Sequence, residues 1–490
     1  MRTGGILMHI SSLPSNYGIG TLGKEAYSFV DFLVKAGQTY WQMLPICPTS
    51  FGDSPYQTFS SFAGNPYFID LDMLIEDGLL EKSECENIKW SNYDTSVDYK
   101  LMYNNRFEVL RKAYNRFMDS VPVDFEEFCK NQEYWLSDYA LFMAIKNETD
   151  MTWDNWERKL KFRCNGALEE YESKNKDNVM FYKVVQYFFY SQWYKLKEYA
   201  NHNHIKIIGD LPIYVASDSV DIWANPELFV LNSDYEPTHV AGCPPDAFSK
   251  SGQLWGNPLY DWDRMKQDNY AWWIRRLNHV TKIYDVTRID HFRGFDSYYS
   301  IDAIAKTAIT GVWKKGPGID FFDCVQKELG TLDIIAEDLG FLTPSVRQLL
   351  EYTGFSGMKV LQFAFDSRED SDYLPHNYPK HAIVYTGTHD NDTIIGWMNN
   401  ANKQDVSYAM EYLRLSEREG YNWGMMKVAW GCVSNTVIVT MQDLLGLGSG
   451  SRMNIPSTVG MNWKWRASKE SINDELAKKI NKYMKVYKRV

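Results

Sequence analysis

YDVTRIDH, residues 284–291, reads as a buried β-strand that ends in an acid, directly before the glycine-bearing turn FRG (292–294). Arg288 and Asp290 are two positions apart, so in a strand they share one face while Ile289 points to the other. Seven further runs of similar make-up flank it. GILMHI (5–10), TYWQMLP (39–45) and HIKIIGDLP (204–212) precede it; LDIIAEDLG (332–340), MKVLQFAF (358–365), AIVYTGTHD (382–390) and TVIVTMQDLLGL (436–447) follow. Stretches with helical periodicity, such as EAYSFVDFLVKAG, TPSVRQLLEYTG and SYAMEYLRLSEREG, stand between most of them. Strand alternating with helix signals parallel βαβ units. Eight such strands match a closed (β/α)8 TIM barrel, in which every edge is paired. No strands remain for a separate C-terminal β-domain.

The spacing between runs is uneven. The second and third are too far apart for a plain crossover helix, and residues 46–203 contain helical runs such as NQEYWLSDYALFMAIKN and MFYKVVQYFFYSQWYKLKEYA. This predicts a mostly helical insertion. The aromatic run YFFYSQWY within it fits a buried helix face. A second excursion, 215–275, is rich in Pro, Gly and Trp and follows the third strand, where barrel enzymes build their site loops. With no repeat, linker or low-complexity tract in view, residues 1–490 read as one elaborated domain.

Composition narrows the function. The 490 residues carry 52 Lys+Arg against 63 Asp+Glu, a formal net charge of −11. A nucleic-acid binder normally shows a basic face, and here only the tail KKINKYMKVYKRV is basic, spaced as a solvated helix face. The 17 Trp and 33 Tyr suit ligands with an apolar face and hydroxyl edges, as sugars have. Seven scattered Cys with no C-x-x-C pair argue against a disulfide framework or structural zinc. The N-terminal MRTGGILMHISSLPS lacks the apolar run of a signal peptide, and no segment is apolar enough to span a bilayer. The expected location is the cytoplasm, with no membrane or nucleic-acid partner; oligomeric state is left open.

The strand ends hold the chemistry. Four finish in acids: Asp210, Asp290, Glu337 and Asp390. Any one of these has a bland explanation as the N-cap of the next helix. Together, with Arg288 and His389 beside two of them, they converge on the mouth of a parallel barrel. An Arg favours the charged form of the neighbouring Asp290, and like charges around Glu337 favour its protonated form. One carboxylate kept charged and one kept neutral is the pairing of glycoside cleavage. Asp390, with Asp392 as a competitor, would oppose positive charge in the transition state. His202 and His204 lack a set of partners for a metal. GLGSGS (446–451) lies where barrels bind phosphate, but it lacks the context of a P-loop.

These motifs closely resemble the amylomaltases, the 4-α-glucanotransferases or disproportionating enzymes of the α-amylase clan. The likeness runs through SSLPSNYGIGTLG (11–23), SPYQTFSSFAGNPYFI (54–69), GDLPIYVASDSVDIW (209–223), PPDAFSKSGQLWGNPLYDW (244–262), TRIDHFRG (287–294), AEDLG (336–340), GTHDNDT (387–393) and RMNIPS (452–457). It departs at Ile10, Ser15 and Ser457, where the family more often has Pro, Gly and Gly. The resemblance implies Asp290 as nucleophile, Glu337 as acid/base and Asp390 as stabiliser, with His389 on the same sugar. It further implies Arg288 and Asp210 around the donor sugar, Ser54, Tyr56 and Asn454 as substrate contacts, and Gln253 and Trp255 on a loop arching over the glucan. Maltooligosaccharides and α-1,4-glucans are the implied partners, and neither metal nor organic cofactor is implied. The retaining displacement so implied requires the Asp290 and Glu337 carboxyls about 5 Å apart. An α-amylase-type hydrolase shares this chemistry; a non-catalytic glucan-binding barrel would be expected to lack one of the three carboxylates.

Overall fold

The computed structural model describes residues 2–245, 249–340, 342–368 and 371–490, with Phe51 described by its backbone alone; part of the 244–262 motif therefore lies outside the described residues. In chain order the strands are β1 (Thr3–Leu7), β2 (Tyr40–Gln42), β3 (Lys206–Pro212), β4 (His239–Cys243), β5 (Gln253–Pro258), β6 (Val286–Asp290), β7 (Ser297–Asp302), β8 (Val312–Lys315), β9 (Ile334–Ala336), β10 (Gly357–Val360), β11 (Ala382–Tyr385) and β12 (Thr436–Thr440). Eight of them form a parallel sheet in the order β10-β11-β12-β1-β2-β3-β6-β9. A parallel bridge between Ile335 and Ser356, with the Ala336 N–H donating to Ser356 O at 2.9 Å, joins β9 to β10 and closes the barrel. The structure is the expected (β/α)8 barrel, and after β12 the described residues add helices and loops only.

That last seam is short of ladder bonds, and a side chain completes it. Asp338 Oδ1 accepts the Met358 N–H at 2.6 Å. A Cβ on Gly357 would stand 2.7 Å from Asp338 Oδ2, so the glycine makes room for the carboxylate. Asp338 therefore points at backbone, away from its neighbour Glu337. On β3, a Cβ on Gly209 would fall 2.2 Å from the Tyr284 ring, which packs flat against the strand beside Asp210.

Between β2 and β3 the chain is helical, ending in the long helix Lys176–His202, whose Phe188, Phe189, Tyr190 and Trp193 are buried. Two amides on this helix grip the preceding loop. Gln186 accepts the Gly64 N–H at 2.7 Å and donates to Gly64 O at 2.9 Å; Gln192 does the same to Asp70 at 2.6 and 3.0 Å. Each clamp satisfies the N–H and the C=O of one buried residue, and leaving such a group unmade costs about 1–3 kcal/mol. The insertion thus fixes the segment that begins at Ser54.

A second sheet was not apparent in the sequence. β4, β5, β7 and β8 form an antiparallel sheet in the order β5-β4-β7-β8, drawn from the chain after β3 and the chain after β6. Gln253 and Trp255 lie on strand β5 of this sheet, not on a free loop. At the C-terminus the helix Asp474–Val486 buries Ala477, Ile480 and Met484 and leaves its lysines exposed. Arg489 departs from the solvated-face reading: it is buried and donates to the carbonyls of Thr3, Trp430, Cys432, Ser434 and Asn435. Among the described residues no helix is long and apolar enough to cross a membrane.

Candidate active site

The site grows from Arg288. In register, β3 places Asp210 beside Arg288 and Pro212 beside Asp290. The guanidinium forks between two carboxylates, reaching Asp210 Oδ2 at 2.6 Å and Asp290 Oδ1 at 2.9 Å, while its Nε–H faces Met358 Sδ at 3.3 Å on β10. Arg can do this because its planar donors diverge. The side chains of Arg288 and Asp210 are 5% and 1% exposed, whereas Asp290 is 31% exposed and so reaches the mouth. Burial pushes the Asp210 carboxyl upward, against the pull of Arg288.

Glu337 follows β9 directly. Its backbone is tied to β6 and to the turn after it: its N–H donates to Ile289 O at 3.0 Å, and its C=O accepts the Phe292 N–H at 3.1 Å. Its carboxyl accepts two backbone N–H groups, His291 on Oε2 and Leu339 on Oε1, each at 2.8 Å. Burial lifts this carboxyl from 4.5 to about 7, with Asp290 adding like charge and Arg288 opposing. The expected upward displacement is present, but desolvation leads it, and Asp290 supplies the like charge while Asp338 is engaged at the barrel seam.

Tyr56 connects the two halves of the mouth. Its O–H donates to Asp210 Oδ2 at 2.7 Å, and its ring stacks on His389 with centroids 5.0 Å apart and planes 16° apart. Ser54 Oγ accepts the Tyr56 N–H at 3.2 Å, setting the turn that presents the ring. His389 Nε2 lies 3.3 Å from Asp390 Oδ1, and Asn454 Nδ2 donates to the same oxygen at 2.6 Å. The Asn454 N–H donates to His389 O at 3.1 Å, and Arg452 binds Asp390 O, so the RMN segment braces the whole 389–390 turn. Asp390 is 46% exposed. It lies five residues beyond β11, further from its strand than the sequence run implied. Asp392 turns elsewhere, accepting from Thr393 N–H, Asn400 and Ser449, the last within the GLGSGS run. Trp255 approaches His291, centroids 4.8 Å apart, and its indole N–H donates to Gln253 Oε1 at 3.1 Å.

All eleven residues singled out in the sequence are thereby joined by direct contacts, through the backbone and ring of His291. Three participants were missed. Trp463 lies 5.9 Å from both Tyr56 and His389, completing an aromatic group, and its place shortly after RMN was the available signal. His9, just past β1, is buried with Nδ1 unpartnered among the described residues, and burial assisted by His389 lowers it to about 3. His291, next to Asp290, is lowered to about 4 by burial. His202 only caps its own helix end, with Nδ1 at 3.1 Å from Glu198 O.

A closed parallel barrel with one ion-paired and one proton-retaining carboxyl at its C-terminal mouth defines a carboxylate-dependent barrel enzyme of the glycoside-cleaving kind. A family model described as 4-alpha-glucanotransferase matches residues 8–471. The 4-alpha-glucanotransferase of Clostridium butyricum is 50% identical over 485 residues, covering 98% of this chain and 100% of that protein. That of Thermus thermophilus is 43% identical over 477 residues, covering 95% and 94%. An amylomaltase from Streptococcus agalactiae, solved in complex with acarbose, superposes with a TM-score of 0.97 at 44% identity over 100% of both chains. The chain belongs to the 4-alpha-glucanotransferase family, and it is a glucanotransferase.

Proposed function

We propose that the enzyme moves a segment of α-1,4-glucan from a donor maltooligosaccharide to the 4-hydroxyl of an acceptor glucan or glucose, with retention at the anomeric carbon. Asp290 attacks that carbon as Glu337 gives its proton to the departing glycosidic oxygen, leaving a glucosyl ester on Asp290. Glu337, now a carboxylate, takes the proton of the acceptor hydroxyl as its oxygen displaces Asp290. The observation that carries this reading is the opposite dressing of the two carboxyls: Asp290 is paired with Arg288, while Glu337 is lifted to about 7. Such a pair supplies nucleophile and acid at one pH.

Asp390, exposed and steadied by Asn454 and His389, opposes the oxocarbenium-like charge. Tyr56, His389 and Trp463 offer a ring surface to a pyranose face. Asp210 and Arg288 set the floor of the donor site, Ser54 acts through Tyr56, and Gln253 and Trp255 face the acceptor side. Neither metal nor organic cofactor has a part. The insertion 46–203, clamped through Gln186 and Gln192, supports reading the chain as one catalytic unit. The scattered cysteines, with no Cys-x-x-Cys pair in the sequence, support work in a reducing compartment, the cytoplasm.

Two measurements test it. Maltotriose should yield free glucose and a ladder of longer oligosaccharides; shorter products alone would mean hydrolysis. Glu337→Gln given α-glucosyl fluoride, whose leaving group needs no acid, should accumulate a glucosyl adduct on the peptide holding Asp290. Inverted product or an unlabelled Asp290 would rule the double displacement out.

A further inference from the structure

His291 stands between the two sides of the site, and its conformation is unusual for a side-chain-bearing residue. With φ 55° and ψ 47° it is in the left-handed region, where a β-carbon is crowded against the following carbonyl. That turn aims its N–H at Glu337 Oε2, 2.8 Å away. Of the two N–H groups on the Glu337 carboxyl, the Leu339 donor is local to Glu337, two residues on. The His291 donor comes instead from the residue that follows Asp290 at the end of β6.

The imidazole is equally constrained. Its ring meets Trp255 nearly edge-on, with planes 86° apart and centroids 4.8 Å apart. Tyr214 lies 6.4 Å away and is itself 6.2 Å from Trp255, so the three rings pack together. A methyl group on Gly294 would stand only 3.3 Å from His291 Cδ2, so the chain leaves no slack there. Its Nε2 is shielded from solvent without a hydrogen-bond partner among the described residues, an arrangement that packing alone would not favour.

We propose that His291 is a positioning residue that couples the acceptor-side Trp255 to the acid/base Glu337: the ring reads where Trp255 sits, and the left-handed turn passes that position to the N–H that holds the carboxyl. A glucan arriving against Trp255 thereby adjusts the group that must deprotonate its hydroxyl. This rests on the reading of Glu337 as acid/base. Among the described residues the charged and titratable groups facing Glu337 are Asp290, Arg288, Arg293 and Tyr373, and the coupling adds no further charge to them. The His291 imidazole itself is neutral at neutral pH, so it acts through contact.

The test is a double-mutant cycle read on the alkaline limb of kcat/KM for maltotriose disproportionation. Trp255→Ala in the native background should move that limb by about half a pH unit or more. In a His291→Asn background, where Asn keeps the left-handed turn but not the ring, Trp255→Ala should leave the limb in place. Equal movement in both backgrounds, or none in either, overturns the proposal. His291→Ala must hold the turn unaided. It should lower kcat more than it changes KM and move the limb upward, because the His291 N–H is one of the groups that lower Glu337. A lower kcat with an unmoved limb marks a merely structural residue and also overturns it. Glu337→Gln is the control: native activity there would sink the acid/base reading itself, whatever the cycle gives.

Discussion

Replacing Glu337 by Gln should remove a pH-dependent weakening of the fold together with the chemistry. Burial, joined by Asp290, raises the carboxyl from 4.5 to about 7. A carboxyl raised by folding favours the native state fully below its unfolded pKa. That contribution is lost as pH climbs through the folded value, because the unfolded chain releases the proton first. Each unit is worth about 1.4 kcal/mol, so fully ionised Glu337 destabilises the native state by about 3 kcal/mol. Between pH 5 and pH 8 the change is about 2.5 kcal/mol. Gln carries none of this dependence. Its NH2 group would face the N–H of either His291 or Leu339, both of which now point at carboxylate oxygens at 2.8 Å. That penalty is the same at both pH values and cancels in the comparison. Urea unfolding of the native and Glu337→Gln proteins at pH 5 and pH 8 measures it. The variant should gain about 2.5 kcal/mol relative to native over this range. A stability difference that stays constant with pH would refute the reasoning, since the carboxyl would then ionise in the fold as easily as in the unfolded chain.

The same group sets the activity profile: kcat/KM should fall by half near pH 7 and about tenfold per unit beyond, and a flat profile to pH 9 would contradict Glu337 as proton donor. Arg288→Met leaves Asp210, 1% exposed, without its cation, and should cost about 3–5 kcal/mol in urea unfolding. Arg288→Lys should not restore activity, because a compact ammonium lacks the spread, planar donors by which separate guanidinium nitrogens reach the two carboxylates. Tyr56→Phe keeps the stack on His389 and deletes the 2.7 Å bond to Asp210. Steady-state kinetics should show kcat/KM down about 10–100-fold, in line with about 1.5–3 kcal/mol for a hydrogen bond to a charged group; a change within twofold would make that bond dispensable.

The barrel was legible because each of its strands is a short apolar run bounded by polar or glycine-bearing turns. The runs overshot where apolar character outlasts the strand. TVIVTMQDLLGL is strand only to Thr440, whose side chain caps the helix Met441–Leu445, and MKVLQFAF turns into a 3-10 segment at Leu361. Apolar runs carry no mark of where hydrogen bonding switches from neighbour strand to local turn. The antiparallel sheet was illegible for another reason. Its pairs join residues 239–258 to 297–315 across β6, and pairing at that range leaves no local signal.

By itself the sequence determined the βαβ order, the acids near the strand ends and the sharing of one face by Arg288 and Asp290, because these follow from local periodicity. Tertiary structure decided what each acid is. Asp210 is sealed under Tyr56 and Arg288, Asp338 stitches β9 to β10, and Asp392 turns to Asn400 and Ser449. Glu337 owes its proton mainly to burial. Burial and partner are properties of surroundings assembled from distant chain segments, so identical carboxyls acquire different chemistry only once the barrel closes.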